Sequence, residues 1–242
     1  YLKQSLADQL AVAPGQITLG NGSNDVLELI TRAFVRPGQG VIVSQHSFAV
    51  YTLAAKSVGA NLRVVPAIHW GHDLDGMAEV VDSETRIIFI ANPNNPTGTW
   101  VSRDSLIDFL DSIPKHVLVV LDEAYFEYVE EENYPDGIQL LSHYPGLIVT
   151  RTFSKIHGLA GLRVGYSVSS SKISEILNRV RQPFNVNVLG NVAALAALED
   201  EEFVVESRTL NREQMNRICE GLERLGLNWI SSVGNFLSVD MG

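Results

Sequence analysis

The run Val117-Leu118-Val119-Val120-Leu121 is apolar at every position and stops at Asp122-Glu123. A strand with one wet face alternates apolar and polar residues, so an unbroken run of this kind belongs in the middle of a parallel sheet covered on both faces. The rest of the chain fits that demand, because short β-rich runs alternate with helical patterns through most of its length. The β-type runs are Ile17-Thr18-Leu19, Val41-Ile42-Val43, Leu62-Arg63-Val64-Val65, Arg86-Ile87-Ile88-Phe89-Ile90, Leu147-Ile148-Val149-Thr150 and Val164 to Val168. Helical patterns run from the chain start to Leu10, from Val26 to Phe34, from Phe48 to Val58, from the N-cap type Ser102 to Ile113, and from Lys172 to Val180. Val188 to Leu198 is small and apolar enough to predict a buried helix, with Ala193 to Ala197 in the core. Glu201 to Leu225 is long and charged, the pattern of a helix bridging two domains. The expected fold class is α/β, a three-layer sandwich around a mostly parallel sheet. The expected division is 1–200 as the large domain and 201–242 as an interdomain helix plus the first strand, Asn235 to Val239, of a small α+β domain.

Composition narrows the function classes. The 242 residues are 45% hydrophobic and 19% charged, which suits a globular protein with a sizeable core. A formal charge of −10 argues against binding to a nucleic-acid backbone. The one cysteine, Cys219, rules out a disulfide framework and points to a reducing, cytoplasmic setting. No apolar run approaches the ~18 residues of a spanning helix, so no membrane partner is expected. The chain opens directly in an amphipathic pattern and stops just after a strand-like segment, and it is read as cut at both ends.

In open α/β sheets, ligands bind beyond the carboxyl ends of the strands. Four such ends carry chemistry. Gly20-Asn21-Gly22-Ser23-Asn24 leads into a helix whose free N–H groups and dipole can seat a phosphate. Asn92-Pro93-Asn94-Asn95-Pro96-Thr97-Gly98 is a proline-fixed loop with amides to hold against a ligand oxygen. Asp122, at the end of the buried strand, is costly there unless a cation matches it, and a protonated heterocyclic nitrogen fits; Tyr125 can reach the same place. Thr152-Phe153-Ser154-Lys155 supplies hydroxyls and a nucleophilic amine, and Arg163 beyond the glycine turn can clamp an anion. Acid, amide, phenol, amine and phosphate clamp are the parts needed to hold pyridoxal 5'-phosphate and use it as an electron sink.

The segments Asn92 to Gly98, Asp122-Glu123-Ala124-Tyr125, and Ser154-Lys155 followed by Gly158-Leu159-Ala160-Gly161-Leu162-Arg163-Val164-Gly165 resemble the fold-type I pyridoxal-phosphate aminotransferases, most closely the histidinol-phosphate aminotransferases. The resemblance covers essentially the whole chain. It implies that Lys155 forms the Schiff base and shuttles the substrate proton, and that Asp122 pairs with the pyridinium nitrogen. It further implies that Asn95 and Tyr125 bind the ring oxygen, that Ser23, Asn24, Thr152, Ser154 and Arg163 hold the phosphate, and that Phe48 stacks on the ring. It implies an amino donor and a keto acceptor as substrates and a homodimer for the full-length enzyme, with an N-terminal arm and most of a small domain absent from this chain. Aromatic amino-acid transaminases and phospho-amino-acid decarboxylases of the same fold remain alternatives, as does a non-catalytic binding or dimerisation fragment. Ile156-His157 departs from the family's small-then-aromatic pair and reads as a packing substitution. No metal site is expected: His69-Trp70-Gly71-His72 reads as a polar loop, and Glu130-Glu131-Glu132 as a solvated face.

Overall fold

The computed structural model describes residues 1–242. The chain runs α1 (Leu2–Gln9), β1 (Ile17–Asn21), α2 (Ser23–Phe34), β2 (Gly40–Ser44), α3 (Ala49–Ser57), β3 (Asn61–Val65), α4 (Leu74–Glu79), β4 (Thr85–Ala91) and α5 (Arg103–Ser112). It continues through β5 (Leu118–Asp122), α6 (Gly137–Leu140), β6 (Leu147–Thr152), β7 (Val164–Ser169), α7 (Ser171–Val180), α8 (Val188–Glu199), α9 (Glu201–Arg224), β8 (Trp229–Ile230) and β9 (Ser238–Val239). Seven strands form one sheet in the order β1-β7-β6-β5-β4-β2-β3. The pairs from β6 to β3 are parallel, and β7 is antiparallel to both β1 and β6. β1 therefore points the same way as β6, and β7 alone is reversed. One edge of the sheet consequently collects the C-terminal ends of β1, β2, β4, β5 and β6 together with the start of β7.

The apolar run takes the central place, with β6 on one side and β4 on the other. Its alternate side chains enter two different cores. Val120, with Ile148, Ile87 and Phe89, packs under α2, α3 and α7. Val119 and Leu121, with Val149, Ile88 and Ile90, pack against α1, α5 and α6. Each fully buried side chain of this size contributes roughly 1.5–3 kcal/mol, and supplying both layers is why β5 has no polar position before its last residue, Asp122. Ser102 is the cap its position predicts: its Oγ accepts the Ser105 N–H at 3.2 Å and starts α5.

Two expectations need correction. Within α8 only Gly190 and Ala194 are buried, while Val188, Leu189 and Val192 are 77%, 73% and 61% exposed. A helix that is apolar all round gives periodicity nothing to show which face packs, so its composition predicts more burial than the fold provides. The terminal strand is also shorter than expected: only Ser238–Val239 pairs, antiparallel to Trp229–Ile230, in a separate two-stranded sheet. α9 has no buried residue. It is tied to the loop after β5 by the Arg208 Nε–H, donated to the Glu127 carbonyl at 2.7 Å, and by the Arg212–Glu130 pair at 2.8 Å. No helix is long and apolar enough to cross a membrane.

Phe89 on β4 is fully buried and its ring stacks on Tyr51 of α3 at 4.7 Å and 3°. Phe89→Ala is expected to lower the unfolding free energy by about 3–5 kcal/mol, read from urea denaturation; a loss under about 1 kcal/mol would show that α3 is not seated on β4 as described.

Candidate active site

The strand ends meet around a cavity of about 230 Å³. It is lined by every residue selected from the sequence: Ser23, Asn24, Phe48, Asn95, Asp122, Tyr125, Thr152, Ser154, Lys155 and Arg163. Tyr51 joins them, a residue that sequence reasoning misses.

Asp122 is 4% exposed. Its Oδ2 accepts the Tyr51 hydroxyl at 2.8 Å, and its Oδ1 accepts the Thr150 hydroxyl at 2.9 Å. Burial pushes the carboxyl above the usual range, and these two hydroxyls, the Ala124 N–H and the nearby Lys155 charge pull it back. Its direct partners are thus neutral donors rather than a cation. The same burial, with Asp122 as an acceptor, pushes the Tyr51 hydroxyl well up, so Tyr51 stays a donor.

The asparagine loop divides its work. Asn92 is buried and closes the loop on itself, donating to the Val101 carbonyl at 3.1 Å and accepting the Val101 N–H at 2.8 Å. Asn94, also buried, donates to the His46 carbonyl at 2.6 Å and to Thr97 Oγ1 at 2.8 Å. Only Asn95 faces the cavity, donating to the Tyr125 hydroxyl at 3.2 Å. Lys155 Nζ lies 4.9 Å from the centre of the Tyr125 ring. Phe48, just before α3, meets Tyr51 edge-on at 5.8 Å and 84°.

Arg163 and the start of α2 form an anion seat. Gly22, with φ +78°, is the N-cap of α2, and a Cβ there would fall 2.3 Å from Arg163 Nη2. The guanidinium can lie against the helix start only because that position is glycine. Gly165 allows the second close approach, since a Cβ on it would stand 2.2 Å from the Ser23 nitrogen. Arg163 donates through Nη1 to Ser154 Oγ at 3.3 Å and to the Ala160 carbonyl at 3.0 Å. Thr152 Oγ1 accepts the Ser154 N–H at 3.1 Å. Two hydroxyl residues, a guanidinium and a helix start thus converge on one place.

Other residues fall outside the cavity. Glu123, next to Asp122 at the end of the apolar run, is fully buried on the opposite face of the sheet, paired with Arg151 at 2.8 Å. His157 lies against Phe153 with ring centres 4.9 Å apart and planes tilted by 40°, its Nε2 is 3.9 Å from Glu127, and burial holds its pKa below the usual value. His72 donates its Nε2–H to the Ala91 carbonyl at 2.8 Å.

The sequence profile of the family described as Aminotransferase class I and II matches residues 2–242. Histidinol-phosphate aminotransferase 2 of Pseudomonas fluorescens strain Pf0-1 is 56% identical over 241 residues, spanning 100% of this chain and 65% of that protein. Histidinol-phosphate aminotransferase 1 of Idiomarina loihiensis is 52% identical over 242 residues, spanning 66% of that protein. The chain thus spans just under two thirds of the length of the curated relatives it matches. Among solved structures, histidinol-phosphate aminotransferase from Sinorhizobium meliloti, in complex with pyridoxal-5'-phosphate, superposes with a TM-score of 0.95 at 33% identity over 100% of this chain and 66% of that one. An aspartate aminotransferase of Thermus thermophilus, at 23% identity, covers 100% of this chain and 70% of that one and shares the fold with a TM-score of 0.90.

The surroundings of Asp122 set a pH dependence. Its pKa is raised in the folded chain, so the folded state keeps a proton that the unfolded state has lost, and stability declines as pH rises from about 4 through the folded pKa. Tyr51→Phe removes a donor to the charged form, so the decline is expected to run to higher pH than in the wild type. Urea unfolding at stepped pH reads this directly, and parallel curves for the two proteins would contradict the assignment.

Proposed function

The chain belongs to the class I and II aminotransferase family, and on that premise we propose that its cavity binds pyridoxal 5'-phosphate for transamination. The proposed reaction is the reversible conversion of histidinol phosphate and 2-oxoglutarate into imidazole-acetol phosphate and glutamate. The observation that carries the cofactor assignment is a buried carboxylate, Asp122, held only by neutral donors in a cavity that also contains an anion seat built from Arg163 and the start of α2. A pyridinium cation and a phosphate on one small molecule complete both. The substrate assignment is supported by relatives at 50–56% identity that share the name histidinol-phosphate aminotransferase.

When bound, the cofactor supplies an electron sink that weakens the α-carbon–hydrogen bond of the amino substrate. The side chains have separate tasks. Asp122 holds a proton on the ring nitrogen, with Tyr51 and Thr150 fixing both carboxylate oxygens. Asn95 and Tyr125, already bonded to each other, present their amide and hydroxyl to the ring oxygen. Ser23, Asn24, Thr152, Ser154 and Arg163 hold the phosphate by charge-assisted hydrogen bonds, and Phe48 covers one face of the ring. Lys155 Nζ would supply the amine that anchors the cofactor; displaced from that bond by the substrate's amino group, the freed amine would take the proton from the substrate α-carbon and return it during the amino-group transfer.

The same reading assigns residues 1–200 to the cofactor-binding body and 201–242 to the connecting helix and first strand of a small domain. The two cores that enclose the sheet draw all their fully buried residues from the first part, and α9 buries none. The partner is a second copy of the chain. Phe184, Val188, Leu189 and Val192, each more than 60% exposed, give it an apolar docking face. A cytoplasmic setting accords with the single Cys219.

Titration with pyridoxal phosphate is expected to produce a visible absorbance band that is absent in Lys155→Ala. Glutamate should move the wild-type band to shorter wavelength in a half-reaction without any acceptor. Equal spectra for the wild type and the Lys155 variant would sink the proposal.

A further inference from the structure

β5 and β6 carry the cofactor site on one face and a second polar cluster on the other. Their register sets Asp122 opposite Thr150, and these two bond on the cavity side. The next residues along, Glu123 and Arg151, turn to the opposite face. There the Arg151 Nε–H is donated to Glu123 Oε2 at 2.9 Å, and Nη2 lies 2.8 Å from the same oxygen. Nη2 also donates to Asp136 Oδ1 at 2.7 Å. The other Glu123 oxygen accepts the Gly137 N–H at 2.8 Å, and the guanidinium sits 3.6 Å from the centre of the Phe126 ring.

One cation therefore holds the segment after β5 at its start, at its first turn and at its far end. Tyr125 lies between the first two of these holds. Neither Glu123 nor Arg151 lines the cavity, and their side chains are 0% and 6% exposed. Burial pushes Glu123 up to about 7 against the pull of Arg151, and pushes Glu127 beside them up as well. An ion pair this deep gains little over apolar packing of the same volume. It does penalise misregistration, because a slip of β6 by one residue would bring Arg151 to the cavity face and take Thr150 and Thr152 away from it.

We propose that Arg151 is the positioning residue of the site: by gripping Glu123, Phe126 and Asp136 it fixes the turn that carries Tyr125 and aims the Tyr125 hydroxyl at the ring oxygen of the cofactor. The proposal rests on the pyridoxal phosphate reading above. Arg151 touches neither cofactor nor substrate and acts only through that turn.

The test is a double-mutant cycle read from the pH midpoint of the visible band of the cofactor-loaded chain. Tyr125→Phe removes a donor that favours the anionic ring oxygen, and should raise the midpoint by about one pH unit or more. Arg151→Lys keeps the charge but lacks the planar fork. It is expected to raise the midpoint in the same direction, and the double variant should rise no further than Tyr125→Phe alone. An unmoved midpoint with only a lower melting temperature, or shifts that add in full, would overturn the proposal. Should Arg151→Lys lose its cooperative melt, Glu123→Gln takes its place in the same cycle, where a non-additive rise supports the proposal and an unmoved or fully additive midpoint overturns it. A wild-type chain without the band overturns the cofactor reading and this inference with it, whereas a normal wild-type band with an unmoved Arg151→Lys midpoint overturns only the positioning role.

Discussion

Everything at the site depends on the cost of keeping the Asp122 carboxylate away from water. A carboxylate at the end of a strand buried on both faces has lost its hydration, and hydroxyls return only part of that loss. Tyr51 and Thr150 take one oxygen each, so the group is oriented without being neutralised. The Ala124 N–H and the nearby Lys155 charge return a further part, yet the carboxyl still stays above its usual range, and a cation bound in the cavity would offset the rest. In the proposed complex a pyridinium would provide it, and the acid would in turn keep the ring nitrogen protonated and therefore electron-withdrawing.

Sheet topology turns that local constraint into a site. Because β7 alone is reversed, its first residues stand beside the last residues of β1 and β6, and Arg163 reaches the start of α2 across two glycines. The two faces of the β5–β6 pair then divide the work. The cavity face presents Asp122, Thr150 and Thr152, while the other face locks Glu123 to Arg151. Pairing register, buried ion pair and the lining of the cavity are one structural fact seen from three sides.

The central strand, the cap at Ser102 and nine of the fourteen cavity-lining residues were legible in the sequence, as an apolar run, a helix start or polar residues just beyond strand ends, while Phe48 came only from the family resemblance. The sequence did not reveal Tyr51. In α3 that residue occupies an ordinary inward position, and only the packing of the helix on β4 carries its hydroxyl to Asp122. The asparagine loop was legible from its residues as rigid and polar, and only the family resemblance singled out Asn95 as the amide that turns to the cavity. Asn92 and Asn94 commit theirs to the loop and its neighbours, a choice made by backbone geometry. The outer face of α8 was hidden for the opposite reason: its residues are apolar on every side, so composition predicts burial where the single chain provides none.

The pairing of Asp122 with the ring nitrogen is tested most directly by nitrogen-15 NMR of the chain loaded with ring-labelled pyridoxal phosphate. A protonated nitrogen near neutral pH in the wild type, becoming unprotonated in Asp122→Asn, is the predicted result. A nitrogen already unprotonated in the wild type, or one whose state is the same in both proteins, would contradict it.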